Sequence, residues 1–363
     1  MLKFKNVFTF FIILIIFSFI YAKDSLVRIA ILYTGTLSGE IESCPTCRRI
    51  AKTGGLARRF TAFKKYGKKY DYKLILDAGS IFCVGADVNK NVNLIQKKAK
   101  LICQIYDLLE YDICNFGGYD LILPSDFIKT LNDSVNFEFI SSNIVDKNTS
   151  DLVFKPYTIK TVSGIRIGII GVSSKFGFEP KDYIILDPVE CINNVLSEVK
   201  NKVDYIILLA DVTNDDLMKI ANLSDIDLIL RAGSIIYRNY LEKVKNCFVS
   251  SVGDRGKKFG IIELNIKDIR DEFIDVSWMK LRIDNIDKQI NKYRKNLEKA
   301  NSTRASSGVI ERLKEEKREL EDQLKLKRNW YELKLITLDD KFNESEYIKE
   351  MIKNYKNSLD NVR

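Results

Sequence analysis

Residues 74–84, with the sequence LILDAGSIFCV, combine the pattern of a buried strand with a tight glycine turn. The ends of strands in α/β folds are where such proteins place their sites. A carboxylate on such a turn would bind a hard metal ion or serve as a general base. This turn instead carries the hydroxyl of Ser80. The sequence therefore keeps the local structure of a catalytic turn without its carboxylate.

The chain contains no histidine among its 363 residues. This absence excludes histidine-ligated zinc, haem attachment through C-x-x-C-H, general acid–base catalysis by imidazole and Ser–His triads. Its consequence depends on whether the fold needs histidine at its site.

Cys44 and Cys47 form a C-x-x-C pair that is followed directly by two arginines. The pair can form a small disulfide, act as a redox pair or supply half of a metal site. The neighbouring arginines favour the thiolate form, whereas a four-thiolate zinc site would need a second close pair. Five further cysteines lie in apolar runs and are expected to be buried thiols: Cys83, Cys103, Cys114, Cys191 and Cys247.

The N-terminal residues 1–22 have the composition of a secretory signal peptide. Lys3 and Lys5 precede an apolar run from Val7 to Ile20, and Ala22 offers a small residue for cleavage. We expect export to the periplasm or the extracellular space, with no membrane span after cleavage. The alternative is an uncleaved segment that anchors the protein to the membrane, although the run is short for a span.

The composition is that of a globular protein, with 46% apolar and 29% charged residues and a formal net charge of +9. Charges of both signs are interspersed, which gives no indication of nucleic-acid binding. Lys52, Arg58 and Arg59 begin a helix and could attract an anion to its N-terminus. A solvated helix face is the interpretation we favour for these three residues.

Apolar runs with turn signals alternate with amphipathic helical stretches along most of the chain. This alternation predicts a layered α/β domain over residues 25–276, with its site at the ends of the strands. The strand-like runs are VRIAILYTG, YKLILDAGS, YDICNFGGYD, FEFISSNI, IRIGIIGVSS, VDYIILLADV and IDLILRAGS.

Residues 277–336 have a different pattern, in which apolar residues recur at spacings of three and four on two successive segments. These residues are Ile283, Ile286, Ile290, Tyr293 and Leu297, and then Ile310, Leu313, Leu320 and Leu324. The pattern predicts an antiparallel coiled-coil hairpin between two strands, FIDVSWMKL and WYELKLITL. Its charged outer faces suit either a partner-binding arm for an envelope protein or an inert spacer. A helical tail follows over residues 337–363.

The ordered strand ends resemble the N-terminal metallophosphatase domain of the 5'-nucleotidase family, within the calcineurin-like phosphoesterases. The resemblance implies a metallophosphatase-type β-sandwich flanked by helices, and it covers about residues 27–266. The segments that carry it are ILYTGTLSGEI, TGGLARRFTAFKK, LILDAGS, NFGGYDL, FISSNIVDKNT, FKPYTIKTVSGIRIGIIGVSS, VDYIILLADV, IDLILRAGSI and VSSVGDRGKKFGIIEL.

The resemblance also implies a two-metal centre, but this chain departs from the family at nearly every ligand position. The family's first Asp and His fall on Thr36 and Ser38, and its bridging Asp falls on Ser80. Its Asn ligand and catalytic His fall on Gly118 and Tyr119. The later histidine positions fall on Asp211, Gly233 and Ile235, and of all these positions only Asp211 offers a good ligand for a hard metal.

These departures favour a secreted, catalytically degenerate protein that binds partners or serves as a scaffold in the cell envelope, with no metal or other cofactor. The alternative is an enzyme. It would be a divergent metal-dependent phosphoesterase or 5'-nucleotidase, or a thiol-redox protein that uses Cys44 and Cys47. The family's C-terminal domain, which stacks the nucleobase, is replaced here by the predicted hairpin, so nucleotide specificity is not expected.

Overall fold

The computed structural model describes residues 26–43, 52–87, 91–299 and 304–360, in which strands alternate with helices as the apolar runs predict. The strands are β1 (Val27–Thr34), β2 (Lys73–Asp77), β3 (Ile113–Asn115), β4 (Glu138–Ile140), β5 (Ile144–Asp146), β6 (Tyr157–Val162), β7 (Ile165–Ser173), β8 (Tyr183–Ile185), β9 (Tyr205–Asp211), β10 (Leu228–Ala232), β11 (Glu242–Val244), β12 (Cys247–Ser251), β13 (Lys258–Ile266), β14 (Phe273–Asp275) and β15 (Asn329–Thr337). The helices are α1 (Leu56–Gly67), α2 (Val92–Leu108), α3 (Ser125–Asp133), α4 (Pro188–Val199), α5 (Asn214–Ile220), α6 (Ser277–Lys299), α7 (Arg304–Lys325) and α8 (Glu346–Asp360).

Two large sheets form the body of the fold. The first has seven strands in the order β14-β15-β13-β1-β2-β3-β4, and the second has six in the order β11-β12-β10-β9-β7-β6. Strands β1 to β4 are mutually parallel, as are β7, β9, β10 and β12. The C-terminal ends of the parallel strands in each sheet therefore lie along one edge.

The two sheets pack face to face, and helices cover their outer faces. Alternating residues of β1, β7, β9, β10 and β13 form the core between the sheets. Helices α1, α2, α3 and α8 pack on the outer face of the seven-stranded sheet, and α4 and α5 pack on that of the six-stranded sheet. This four-layer arrangement buries every residue of β9, which is why that strand has a nearly continuous apolar run.

Local sequence signals fix where several helices begin. The Asp187 side chain accepts hydrogen bonds from two backbone amides at the start of α4, and Pro188 occupies the first helical position. Gly55, which precedes α1, has a φ of 91°, and a Cβ at this position would lie 2.9 Å from the backbone nitrogen of Ser43. The close approach of this chain segment to α1 therefore requires glycine.

The chain leaves the body after β14 to form α6 and returns from α7 into β15. Strands β14 and β15 are neighbours that pair in parallel. The facing apolar side chains of α6 and α7 are mostly buried, and they include Ile286, Ile290, Ile310, Leu313 and Leu320. The two helices thus pack through the predicted seam, whereas a regular coiled-coil geometry stays a prediction.

The elements around the hairpin differ from the expected strands. The first strand ends at Asp275, because the carboxylate of Asp275 accepts a hydrogen bond from the backbone amide of Ser277, where α6 begins. Strand β15 lies between β14 and β13 and therefore belongs to the seven-stranded sheet. Helix α8 contributes Ile348 and Ile352 to the outer core, so both segments after the hairpin pack into the α/β body.

Candidate functional site

Loops from both sheets meet at the edge where the parallel strands end. The backbone amide of Thr36, after β1, donates to the carbonyl of Gly79, after β2, at 2.8 Å. The side-chain amide of Asn115 donates to the carbonyls of Ala78 and Val172, each at 3.0 Å, and so connects the two sheets. This edge is where the sequence places its candidate site.

Five of the eight candidate positions lie in one cluster at this edge, as two adjacent hydrogen-bonded groups. The Oγ of Ser80 lies 2.9 Å from each carboxylate oxygen of Asp211. The backbone amide of Gly118 donates to Oδ2 of Asp211 at 3.1 Å. The backbone amide of Gly233 donates to Oγ1 of Thr36 at 2.8 Å. The fold thus brings together residues that are as far apart in the sequence as Thr36 and Gly233.

Three candidate positions have a left-handed backbone that non-glycine residues rarely adopt. The φ angles of Thr36, Ser38 and Ser80 are 54°, 58° and 53°. The backbone amide of Ser38 donates to the carbonyl of Ser80 at 2.9 Å, which ties two of these strained residues together. Such strain costs about 1–3 kcal/mol for each residue and is found mainly at functional sites. The loops thus keep a strained conformation although their side chains are small hydroxyls.

Asp211 is fully buried, and glycines enclose it. A Cβ on Gly79, Gly117 or Gly233 would lie 3.0, 2.7 or 3.1 Å from an atom of the Asp211 side chain. Burial raises the pKa of Asp211 to about 6, against the opposing hydrogen bonds from Ser80 and Gly118. The carboxylate is therefore held in a closed environment that disfavours its charge.

Aromatic rings fill the space next to Gly118. A Cβ at this position would lie 2.8 Å from the carbonyl oxygen of Ser174 and 2.9 Å from the ring of Phe176. Tyr119, at the position of the family's catalytic histidine, stacks on Phe176 with ring centroids 5.1 Å apart and donates its hydroxyl to the carbonyl of Phe176 at 3.0 Å. A larger residue at position 118, such as the family's asparagine, would require this aromatic pair to move.

Ile235 is a candidate position that the structure places at the surface, away from the cluster. Its side chain is 75% exposed, and that of the next residue, Ile236, is 65% exposed. The chain after Gly233 therefore turns outward, and residue 235 does not line the buried site.

The residues present do not fit the two-metal centre that the resemblance implies. Asp211 is the one carboxylate among the eight positions, and both of its oxygens already accept hydrogen bonds. Within residues 26–43, 52–87, 91–299 and 304–360, no three Asp, Glu or Cys side chains are grouped so that they could hold a metal ion. Two-metal sites need several such ligands around each ion.

A buried network below the cluster was not predicted from the sequence. Arg59 is 1% exposed, and its Nη1 donates to the hydroxyls of Tyr106 and Tyr111 at 3.2 Å each. Asp77 accepts from Tyr106 at 3.0 Å and from Thr34 at 2.5 Å. Burial raises the pKa of Asp77, and the nearby guanidinium opposes this shift. The network fixes the end of β2 and hence the turn that carries Ser80.

The solvated-face interpretation of the first α1 residues is therefore wrong for Arg59. Arg58 also contacts the protein, through an ion pair with Glu344 at 3.3 Å, and its side chain is 11% exposed. Helical spacing was the signal that could have located Arg59, since it lies three residues after Leu56 and four before Phe63, both buried. The charge of Arg59 suggested exposure, whereas its helical position correctly indicated burial.

Asp120 is a second buried residue that the sequence pattern did not reveal. Its carboxylate accepts hydrogen bonds from the backbone amides of Ile81, Phe82 and Cys83 at 2.9, 2.8 and 2.9 Å. Burial nevertheless raises the pKa of Asp120 to about 7, and the nearby Asp211 adds to the effect. The turn after Ser80 is thus held by an internal carboxylate. The signal in the sequence for a role of Asp120 was its position directly after the candidate residue Tyr119.

The remaining sequence predictions concern thiols and targeting. Cys44, Cys47 and the signal segment 1–22 lie outside the described residues. Cys83, Cys103, Cys114 and Cys247 are buried as expected, whereas Cys191 is half-buried. Burial raises the pKa of Cys103, Cys114, Cys191 and Cys247, which makes them poor nucleophiles. Among the helices of the described ranges, none has the length and apolarity needed to cross a bilayer.

Sequence comparisons find relatives with metallophosphoesterase and nucleotidase names, although no family model matches the chain. An uncharacterized metallophosphoesterase, YunD of Bacillus subtilis, is 26% identical over 155 residues, which cover 41% of this chain and 34% of YunD. The protein UshA of Salmonella pullorum is 26% identical over 155 residues, covering 42% of this chain and 27% of UshA. A 5'-nucleotidase of Vibrio cholerae is 32% identical over 100 residues, covering 25% and 18%. The chain thus spans about a third or less of these relatives.

Solved structures share the fold over nearly the whole chain. A 5'-nucleotidase precursor from Thermus thermophilus has a TM-score of 0.64 at 17% identity, covering 92% of this chain and 59% of the other. The calcineurin-like phosphoesterase YfkN from Bacillus subtilis has a TM-score of 0.61 at 15% identity, covering 93% and 100%. The predicted α/β fold and the resemblance carried by the strand-end motifs are confirmed. The names of the sequence relatives support the phosphoesterase alternative more directly than a binding role.

Proposed function

We propose that this chain, which belongs to the 5'-nucleotidase family within the calcineurin-like phosphoesterases, uses the fold as an exported binding module and not for metal-dependent hydrolysis. The observation that carries the proposal is the burial and hydrogen bonding of Asp211. Its carboxylate is fully buried and accepts hydrogen bonds from Ser80 and from the amide of Gly118. A divalent cation would have to displace these donors and then find further ligands in a pocket bordered by glycines.

The chemistry of the family reaction makes this loss decisive. Phosphate-monoester hydrolysis requires acceleration of up to ~10²¹-fold. Two metal ions supply much of it, because they generate the hydroxide nucleophile and neutralise both reacting oxygens. This chain has no histidine at any of its 363 positions, and hydroxyls replace the first acidic ligands. Ser80, Thr36 and one enclosed carboxylate cannot hold two ions in a catalytic geometry.

Export and partner binding form the second half of the proposal. The composition of residues 1–22 supports export to the periplasm or the extracellular space. The α6–α7 hairpin supports a partner-binding arm, because its seam is already used in pairing the two helices. Trp278, Leu281 and Leu326, near its base, are 53, 41 and 81% exposed and offer apolar contacts to an envelope protein.

A divergent phosphoesterase is the second candidate, and the names of the relatives favour it. It would require metal ions to bind near Asp211 after the loops rearrange. A thiol-redox function would rest on Cys44 and Cys47, and it stays a prediction from the sequence.

Metal content and hydrolysis, measured together, distinguish the two candidates. We expect the purified mature protein to hold well under one equivalent of Zn, Mn or Fe by elemental analysis. It should not release phosphate from p-nitrophenyl phosphate or AMP with added Mn²⁺, Zn²⁺ or Mg²⁺. The D211N variant and the matched D227N variant should behave alike in both assays. Stoichiometric metal with turnover that D211N alone abolishes would establish the enzyme and refute the binding module.

A further inference from the structure

A groove on the outer face of the six-stranded sheet is separate from the buried cluster. It lies between α5 and the loop after β10, above strands β10 and β12, and encloses about 250 Å³. Its apolar wall comes from Met218 of α5 and from Ile236, Tyr237 and Tyr240 of the loop. These four side chains are 46, 65, 46 and 40% exposed, a concentration of exposed apolar surface that marks interaction sites.

Arg231 supplies the groove with a cation whose hydrogen-bonding capacity is only partly used. Its neighbours on β10, Leu230 and Ala232, belong to the core between the sheets, so Arg231 points to the opposite, outer face. Its Nε and Nη2 donate to the carbonyl of Val212 at 3.3 and 3.0 Å. In the part of the chain that the structure describes, no carboxylate forms an ion pair with Arg231, and its Nη1 has no protein acceptor.

The surroundings of Arg231 favour a ligand with one negative charge. Partial burial lowers the pKa of the guanidinium, and the charge of the buried Asp211 opposes this shift without forming an ion pair, so a carboxylate that replaces lost hydration on the groove side would be favourable. Arg238 lies at the rim but is neutralised by Glu242 at 3.0 Å. Ser234 and Asn214 add hydroxyl and amide groups to the lining. A phosphate dianion would call for more free cationic donors than Arg231 alone provides.

We propose that this groove binds a small carboxylate with a planar apolar body, with the carboxylate on Arg231 and the apolar body against Tyr237, Tyr240 and Ile236. An aryl carboxylate matches both the single available charge and the aromatic wall. A volume of about 250 Å³ lies just below the usual range for ligand pockets, which favours a small molecule. This proposal does not depend on whether the chain hydrolyses phosphate esters.

Titration of the full mature chain with sodium benzoate, followed by ligand-observed NMR, tests the proposal. We expect a Kd near 1 mM, as is usual for a ligand of this size, and binding of acetate at least ~10-fold weaker. R231Q should weaken benzoate binding at least ~10-fold, because the charge-assisted hydrogen bond is lost. R270Q, which removes a highly exposed arginine elsewhere, should leave the Kd unchanged, and melting curves report whether both variants fold.

A second variant keeps the test decisive if R231Q does not fold. Tyr240→Ala removes an exposed part of the apolar wall and should weaken benzoate binding about 5-fold or more without altering the melt. Equal binding of benzoate by R231Q and the unaltered protein would overturn the proposal. Acetate or inorganic phosphate binding as tightly as benzoate would also overturn it, since Arg231 would then be only an exposed cation. Absence of any benzoate binding would also overturn the proposal.

Discussion

Replacing Asp211 with asparagine tests whether this carboxylate is an internal hydrogen-bond acceptor or a metal ligand. Asparagine has nearly the same size and can accept the hydrogen bond from the amide of Gly118 through its Oδ1. Its Nδ2 would then face the Oγ of Ser80, which can rotate to accept because a serine hydroxyl is both donor and acceptor. All three groups stay satisfied, so we expect D211N to fold and to be more stable than the unaltered protein at neutral pH.

The size of this effect follows from burial. The pKa of Asp211 is raised from 3.8 to about 6 in the folded protein. Its contribution to stability is therefore full below about pH 4 and is lost as the pH rises through 6. The relative gain from D211N should approach about 3 kcal/mol at pH 8 and should be about half as large at pH 5. A bound cation would reverse the sign, because it favours the ionised carboxylate.

Urea unfolding followed by circular dichroism at pH 5 and pH 8, with a chelator present and absent, measures this difference. Asp227 provides the matched control, since its pKa is also raised to about 6 by burial and it accepts a hydrogen bond from the amide of Ile206 at 2.7 Å. It precedes β10 and so lies at the opposite end of that strand from the cluster. D227N should show the same trend with pH. Loss of stability in D211N alone at pH 8, reversed in sign by the chelator, would refute this reasoning.

Three further changes test other parts of the structure. R59M should destabilise the fold by about 3–5 kcal/mol in urea titrations, because Asp77 loses its buried counter-charge. Adding D77N to R59M should recover part of this loss. If the effects of R59M and D77N on the free energy of unfolding simply add, the two residues do not interact and the network is contradicted. Ser38→Gly should raise the free energy of unfolding by roughly 1 kcal/mol, because glycine adopts the left-handed conformation without strain, and a lower melting temperature would show that the serine side chain has a structural role. Replacing residues 282–327 with a short glycine turn should preserve a cooperative melt, and if the hairpin is the proposed arm, the variant should no longer capture any envelope protein that the full-length chain captures. An insoluble variant would show that the hairpin is structural.

Much of the fold could be predicted from the sequence because its signals are local. Strands such as β9 are buried on both faces and therefore have continuous apolar runs, while the hairpin residues recur at helical spacing. The strand-end motifs occur in the order found in the 5'-nucleotidase family, and it is this resemblance that implies a shared site for Ser80, Gly118 and Asp211. Local patterns failed where a side-chain hydrogen bond decided the outcome, as at Asp275, where the expected strand ends two residues before α6 begins.

The sequence by itself determined that these 363 residues supply no imidazole, and that one carboxylate remains among the eight candidate positions. Only the tertiary structure decided what that carboxylate does. Ser80 and Asp211 are 131 residues apart, and they meet because parallel strands of two packed sheets end at a common edge. The same packing buries Arg59 against two tyrosines and places Asp120 against three backbone amides. A charged residue in a sequence pattern indicates solvent exposure on average, but its partners come from distant segments, and those partners decide whether the charge is buried.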